Sequence, residues 1–160
     1  MTLQQLILRL GLALAFGAIV GIDRQMRRKP AGLRTMMLVS LGSATFALVG
    51  LNGMDLRGNT MDTGDVSRVI QGIVGGIGFL GAGVVMHSGM RVAGITTAAA
   101  VWVTAAVGVA FGMGEFTLGA VAGIGAILTL SAAAVVETLV FKDRSGEGPG
   151  VEFERNHPEA

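Results

Sequence analysis

Asp65, Arg68 and Gln71 follow one another at intervals of three residues, a spacing that stacks an acid, a base and an amide on neighbouring turns of a helix. Asp65 joins Asp55, Asp62 and Glu115 as a source of hard carboxylate oxygens. Divalent cations take such ligands, and magnesium often uses only one or two of them while keeping several waters. Asp65 and Glu115 are therefore the candidate metal contacts, of an external magnesium-sensing patch, and no other cofactor is expected. Their spacing matches no metal motif, and acids among glycines are also ordinary turn chemistry. Arg9 and Glu137 are lone charges inside apolar runs. At the centre of a bilayer each would cost about 2.5–3.5 kcal/mol, which usually turns such a residue toward the bundle interior. Each either snorkels to the nearer interface or acts inside the bundle, Arg9 by pairing with Asp65 or Glu115.

Other chemistry is poorly supplied. The chain has no cysteine, and His87 and His157 stand singly, so neither a zinc site nor a thiol nucleophile is expected. No Ser/His/Asp set and no paired carboxylates on one helix appear, and catalysis is not expected. Gly76-Ile77-Gly78-Phe79-Leu80-Gly81 matches the dinucleotide fingerprint G-x-G-x-x-G. That fingerprint needs a preceding strand and an acid about 20 residues on. Here it lies inside an apolar run, and the next acid is Glu115.

The elements that must position these residues are membrane helices. Of 160 residues, 51% are hydrophobic and 14% charged, against about 25% charged in soluble domains. Mean hydropathy is +0.65 and glycine numbers 26. Three prolines and no Gly-X-Y period exclude collagen. A hydrocarbon core about 30 Å thick takes roughly 20 apolar residues of helix. Five stretches fit, at about 3–22, 33–52, 66–87, 94–113 and 116–140, forming one domain over 1–141. Residues 142–160 read as a polar, disordered cytoplasmic tail. The fold class expected is an all-α polytopic bundle of five transmembrane helices.

Orientation follows from the basic residues, which stay on the cytoplasmic side. Arg24, Arg27, Arg28, Lys29 and Arg34 crowd the first loop. With Arg91, Lys142 and Arg144 they place eight basic residues on one side against at most two on the other. The N-terminus is thus expected outside and the C-terminus inside, with the first span a retained anchor rather than a cleaved signal. Beside a membrane helix, this loop reads as a topology signal that attracts anionic lipid, not as a nucleic-acid site.

Small residues share faces at 100° per residue. Asp65, Arg68, Gly72, Gly76, Phe79 and Gly83 align on the third helix, with Gly75 beside them. Thr97, Ala100, Thr104 and Gly108 align on the fourth. Gly119, Ala122, Gly123, Ala126, Ala133 and Glu137 align on the fifth. Such faces are helix–helix seams, and a seam can also line a polar pathway.

Three segments carry a resemblance: GIDRQMRRKPAGLRT (Gly21 to Thr35), DVSRVIQGIVGGIGFLGAG (Asp65 to Gly83) and GITTAAAVWVTAAVG (Gly94 to Gly108). In this order the chain resembles the MgtC/SapB family of bacterial inner-membrane proteins, from about Leu6 to Glu137. The resemblance implies a five-helix, multi-pass inner-membrane domain linked to adaptation to low magnesium and, in pathogenic relatives, to virulence. Many members are labelled magnesium transporters. The positions matching the family's motifs are Asp23, Arg24, Pro30, Gly32, Arg34 and Thr35 in the first loop. In the third helix they are Asp65, Arg68, Gln71, Gly76, Gly78, Gly81 and Gly83, and in the fourth Gly94, Thr96, Thr97 and Trp102. Two positions depart from the pattern. Asp23 stands where Glu is usual, and Ala93 precedes Gly94 where relatives often carry a basic residue. Some members continue into a soluble cytoplasmic domain, whose function is not carried over.

Two functions compete. One is a non-enzymatic regulator acting on another membrane protein through its glycine-lined helices and basic loop. The other is a magnesium transporter or channel, built as a homo-oligomer, using Asp65, Gln71, Thr97 and Glu137. Asp23 with Arg24, and Arg68, are expected to be interfacial ion pairs that hold helix ends in register.

Overall fold

The computed structural model describes the backbone of residues 1–55, 63–88 and 91–141, and the side chains of 1–51, 66–85 and 93–132. Five helices follow in order: α1 (Leu3–Met26), α2 (Leu33–Asp55), α3 (Thr63–Val84), α4 (Ile95–Met113) and α5 (Phe116–Phe141). Four described stretches are long and apolar enough to cross a membrane: Leu3–Met26, Leu33–Leu51, Val66–Val84 and Ile95–Met113. The described part of α5, Phe116–Ala132, is a shorter apolar helix. The stretch 142–160 lies outside the described residues.

Local chemistry sets the helix ends. Thr2 Oγ1 accepts from Gln5 N at 3.3 Å and Gln5 Oε1 accepts from Thr2 N at 3.0 Å, a capping box that starts α1. At its far end Arg28 takes the left-handed conformation (φ 52). Lys29 N then donates to Arg24 O and Arg28 N to Gln25 O, both at 3.0 Å, which closes the helix in a Schellman turn. The α4–α5 connection is shorter still. Gly114 (φ 88) lets Glu115 N reach Ala110 O at 2.9 Å, and Glu115 O in turn accepts from Gly119 N at 2.9 Å to start α5. Between α3 and α4, where the sequence reads as a plain break, two three-residue strands pair antiparallel: β1 (Met86–Ser88) and β2 (Arg91–Ala93), with His87 opposite Val92. The third helix therefore stops at Val84, short of the expected 87.

The core lies between α1, α2 and α4. At Gly108 of α4 a β-carbon would strike the carbonyl oxygen of Ser40, and at Gly112 it would lie 2.5 Å from that of Ala44. Small residues four apart on both helices thus bring backbone against backbone, the packing that replaces the hydrophobic effect in lipid. Gly17 and Gly21 do the same for α1 over Met36 and Leu33. The Phe16 and Phe111 rings meet edge to face at 6.5 Å, and Gly123 and Gly119 of α5 lie beneath them. Residues 1–127 form one unit, and Leu128 onward a second.

The surface inverts that of a soluble domain. Leu3, Ile7, Leu38, Phe46, Trp102 and Val121 are exposed, while Ser40, Ser43, Thr97 and Thr104 are buried. Lipid accepts the first group, and close helix packing encloses the second.

Candidate functional site

Arg24 is the polar centre of this packing. Along α1 the buried residues Ala13, Phe16, Gly17, Val20, Gly21 and Arg24 recur every three or four positions, so the stripe that faces α2 and α4 carries a guanidinium at its end. Arg24 is 2% exposed, and its Nη2 donates to Thr97 Oγ1 in the first turn of α4. Its Nε is buried without a hydrogen-bond partner. Asp23 faces another way: its Oδ1 accepts from Arg27 Nε at 2.9 Å, and its Oδ2 is buried without a partner. The expected ion pair of Asp23 with Arg24 is thus replaced by an i,i+4 pair of Asp23 with Arg27. One helical turn separates those two residues, whereas Arg24 points into the core.

The same seam of α4 continues with Ala100, Thr104 and Gly108, all buried as the helical spacing predicts. Thr104 Oγ1 donates to Met36 Sδ at 3.7 Å, and Ser40 Oγ is buried without a partner. Gly94, at the start of α4, has φ 93, and a β-carbon there would strike the Val84 carbonyl oxygen. Only glycine fits the joint between the hairpin and α4. Thr96 and Trp102 are exposed, Trp102 by 53%.

At the opposite end of α4, Arg9 Nη1 donates to Gly112 O at 2.9 Å. Its acceptor is a carbonyl left free at the helix end rather than the Glu115 carboxylate, and a cation there also meets the negative end of the helix dipole. Glu115 is exposed and caps the start of α5. No group of three or more His, Asp or Glu side chains is placed to hold a metal ion among the described residues. Asp65 lies in the first turn of α3 and Glu137 on α5, with both side chains outside those described.

Among the described residues, nothing packs tightly against the glycines of α3. A β-carbon at Gly72, Gly75, Gly76, Gly78 or Gly83 would meet nothing within 4 Å, and at Gly81 only Ala98 Cβ at 3.6 Å. Arg68 and Gln71 are exposed on this helix, and Phe79 is 81% exposed. Gln71 thus lies at the surface and Thr97 in the core. Arg34 and Thr35 are exposed and line a polar cavity at the α1–α2 turn.

Fold and site together define a multi-pass helical membrane protein whose interior is held by glycine approaches and buried polar contacts. A model of the MgtC family matches residues 10–139, and the chain belongs to that family. It is 41% identical over 131 residues to Protein SrpB of Synechococcus elongatus, covering 77% of this chain and 71% of SrpB. It is 41% identical over 143 residues to the Putative magnesium transporter YhiD of Escherichia coli, covering 89% of this chain and 65% of YhiD. With Protein MgtC of Salmonella typhimurium it shares 44% identity over 110 residues, 69% of this chain and 44% of that protein. The chain thus spans between 44% and 71% of the length of these relatives. No solved structure matches it.

Proposed function

We propose that this chain is a non-enzymatic regulator of the bacterial inner membrane, active in adaptation to low magnesium, that engages another membrane protein through the outer face of α3. The observation that carries this reading is a contrast between two helices. On α4 the stripe of Thr97, Ala100, Thr104 and Gly108 is enclosed, with Thr97 at 1% and Thr104 at 0% exposure. On α3, Gly75 and Gly78 are open and Phe79 stands out beside them. Small residues that let a backbone approach are the usual contact of membrane helices, and here they await a partner. The basic first loop favours an orientation with that loop in the cytoplasm.

Crosslinking in native membranes at normal and low magnesium tests the reading. A heterologous partner should be trapped through α3 and lost in Gly75→Leu, whose β-carbon lies within 4 Å of no described atom. Recovery of this chain alone, unaltered by Gly75→Leu, would contradict it. The second reading, a magnesium transporter, draws on the name of the relative YhiD. It requires several chains to build a pathway from Asp65, Gln71 and Glu137.

A further inference from the structure

Arg34 and Thr35 begin a face of α2 that continues one turn later with Leu38 and Val39, then Gly42, Ser43 and Phe46. Positions four apart stack on one side of a helix. The two ends of this face border different cavities. At the α1–α2 turn, Gln25, Arg28, Lys29, Arg34 and Thr35 line a polar cavity of about 590 Å³. Between α2 and α3, Leu38, Gly42, Phe46, Gly72, Ile73 and Gly76 line an apolar one of about 680 Å³. At 1.5 Å per residue the run from Arg34 to Phe46 is about 18 Å long, with the charged cavity at its head.

Among the described residues, no acid lines the polar cavity. Arg27 is held by Asp23 at 2.9 Å, while Arg28, Lys29 and Arg34 make no ion pair with any described side chain. Leu33 N is taken by Gln25 Oε1 at 3.2 Å, and the first backbone bond of α2 runs from Met36 N to Gly32 O. The amides of Arg34 and Thr35 therefore have no carbonyl behind them, and the positive end of the helix dipole adds to the three cations. An oxyanion satisfies such a convergence. Ile22 and Met26, 50% and 79% exposed, flank the turn with apolar surface, which sets it at the depth where a bilayer carries its headgroups. An anion at that depth with an apolar groove below it is a phospholipid.

We infer that the face of α2 from Arg34 to Phe46 binds one anionic phospholipid, its phosphate in the basic cavity at the α1–α2 turn and an acyl chain in the groove between α2 and α3. The site stands on these two cavities and not on the regulatory reading.

Native mass spectrometry of the full chain, released from detergent with added phosphatidylglycerol or zwitterionic phosphatidylethanolamine, tests it. Phosphatidylglycerol should bind about ten-fold more tightly, and Lys29→Gln with Arg34→Gln should abolish that preference. Arg27→Gln, which removes the same kind of charge outside the cavity, should leave it. Gly42→Leu fills open space in the groove, and should weaken long-chain phosphatidylglycerol while sparing a short-chain analogue and inorganic phosphate. Thermal unfolding checks that each variant is folded. Equal binding of the two lipids would overturn the proposal, as would an equal loss in Arg27→Gln. Competition by inorganic phosphate as strong as by lipid, or binding untouched by Gly42→Leu, would remove the acyl site.

Discussion

Arg24 and Thr97, 73 positions apart in the chain, are joined inside the bundle by a hydrogen bond from the guanidinium to the threonine hydroxyl. A buried cation is stable only if its donors find acceptors, because its desolvation otherwise costs several kcal/mol. The contact ties the end of α1 to the start of α4, next to the hairpin that follows α3. Both residues sit on stripes of small side chains, so the polar contact forms where the backbones are already close.

That contact makes a double-mutant cycle decisive. Thr97→Val leaves Nη2 without its acceptor and should destabilise the protein by about 1–3 kcal/mol. Adding Arg24→Met removes the stranded charge, so the double variant should cost clearly less than the two single changes summed. Thermal unfolding in detergent measures all four proteins, and strict additivity would show that the two side chains do not interact.

Glycines on α4 and α3 should respond oppositely to the same change. Gly112→Ala places a β-carbon 2.5 Å from the Ala44 carbonyl oxygen, and overpacking of this kind costs about 1–3 kcal/mol. In Gly75→Ala the new β-carbon lies within 4 Å of no described atom, so the change should be neutral to stabilising, by up to about 1 kcal/mol. The comparison is again a pair of unfolding curves. Equal effects at the two sites would contradict the close approach of α2 and α4.

Arg9→Gln should destabilise by about 1–2 kcal/mol, through the lost charge at the end of α4 and the weakened bond to Gly112 O. Glu115→Gln should have little effect, since its helix-starting role uses backbone atoms. Hydrogen exchange at the amides of the α4–α5 connection reads this locally. Exchange that quickens as much in Glu115→Gln as in Arg9→Gln would make the carboxylate the arginine's partner.

Much of this architecture is legible in the residues, and the exceptions have physical causes. Five apolar runs predict five helices, because in a bilayer length and apolarity alone determine a span. The α4 seam follows from Thr97, Ala100, Thr104 and Gly108 for the same reason that it packs: one spacing serves both. The α3 face repeats small residues at the same spacing, yet that spacing does not distinguish a helix packed inside the chain from one turned outward. Arg24 was readable as buried from its register with Ala13, Gly17 and Val20, but its charge suggested an interface instead. Arg9 bonds a backbone carbonyl, an acceptor that a search for acids never meets. The strands Met86–Ser88 and Arg91–Ala93 are too short for alternation to show.

Magnesium flux into proteoliposomes of the purified full chain tests the central claim most directly, with protein-free liposomes and Asp65→Asn alongside. The regulatory account predicts entry no faster than in protein-free liposomes, for both the natural chain and Asp65→Asn, from protein shown to be folded. Saturable flux that falls in Asp65→Asn would contradict it and make the exposed residues of α3 part of a pathway between chains.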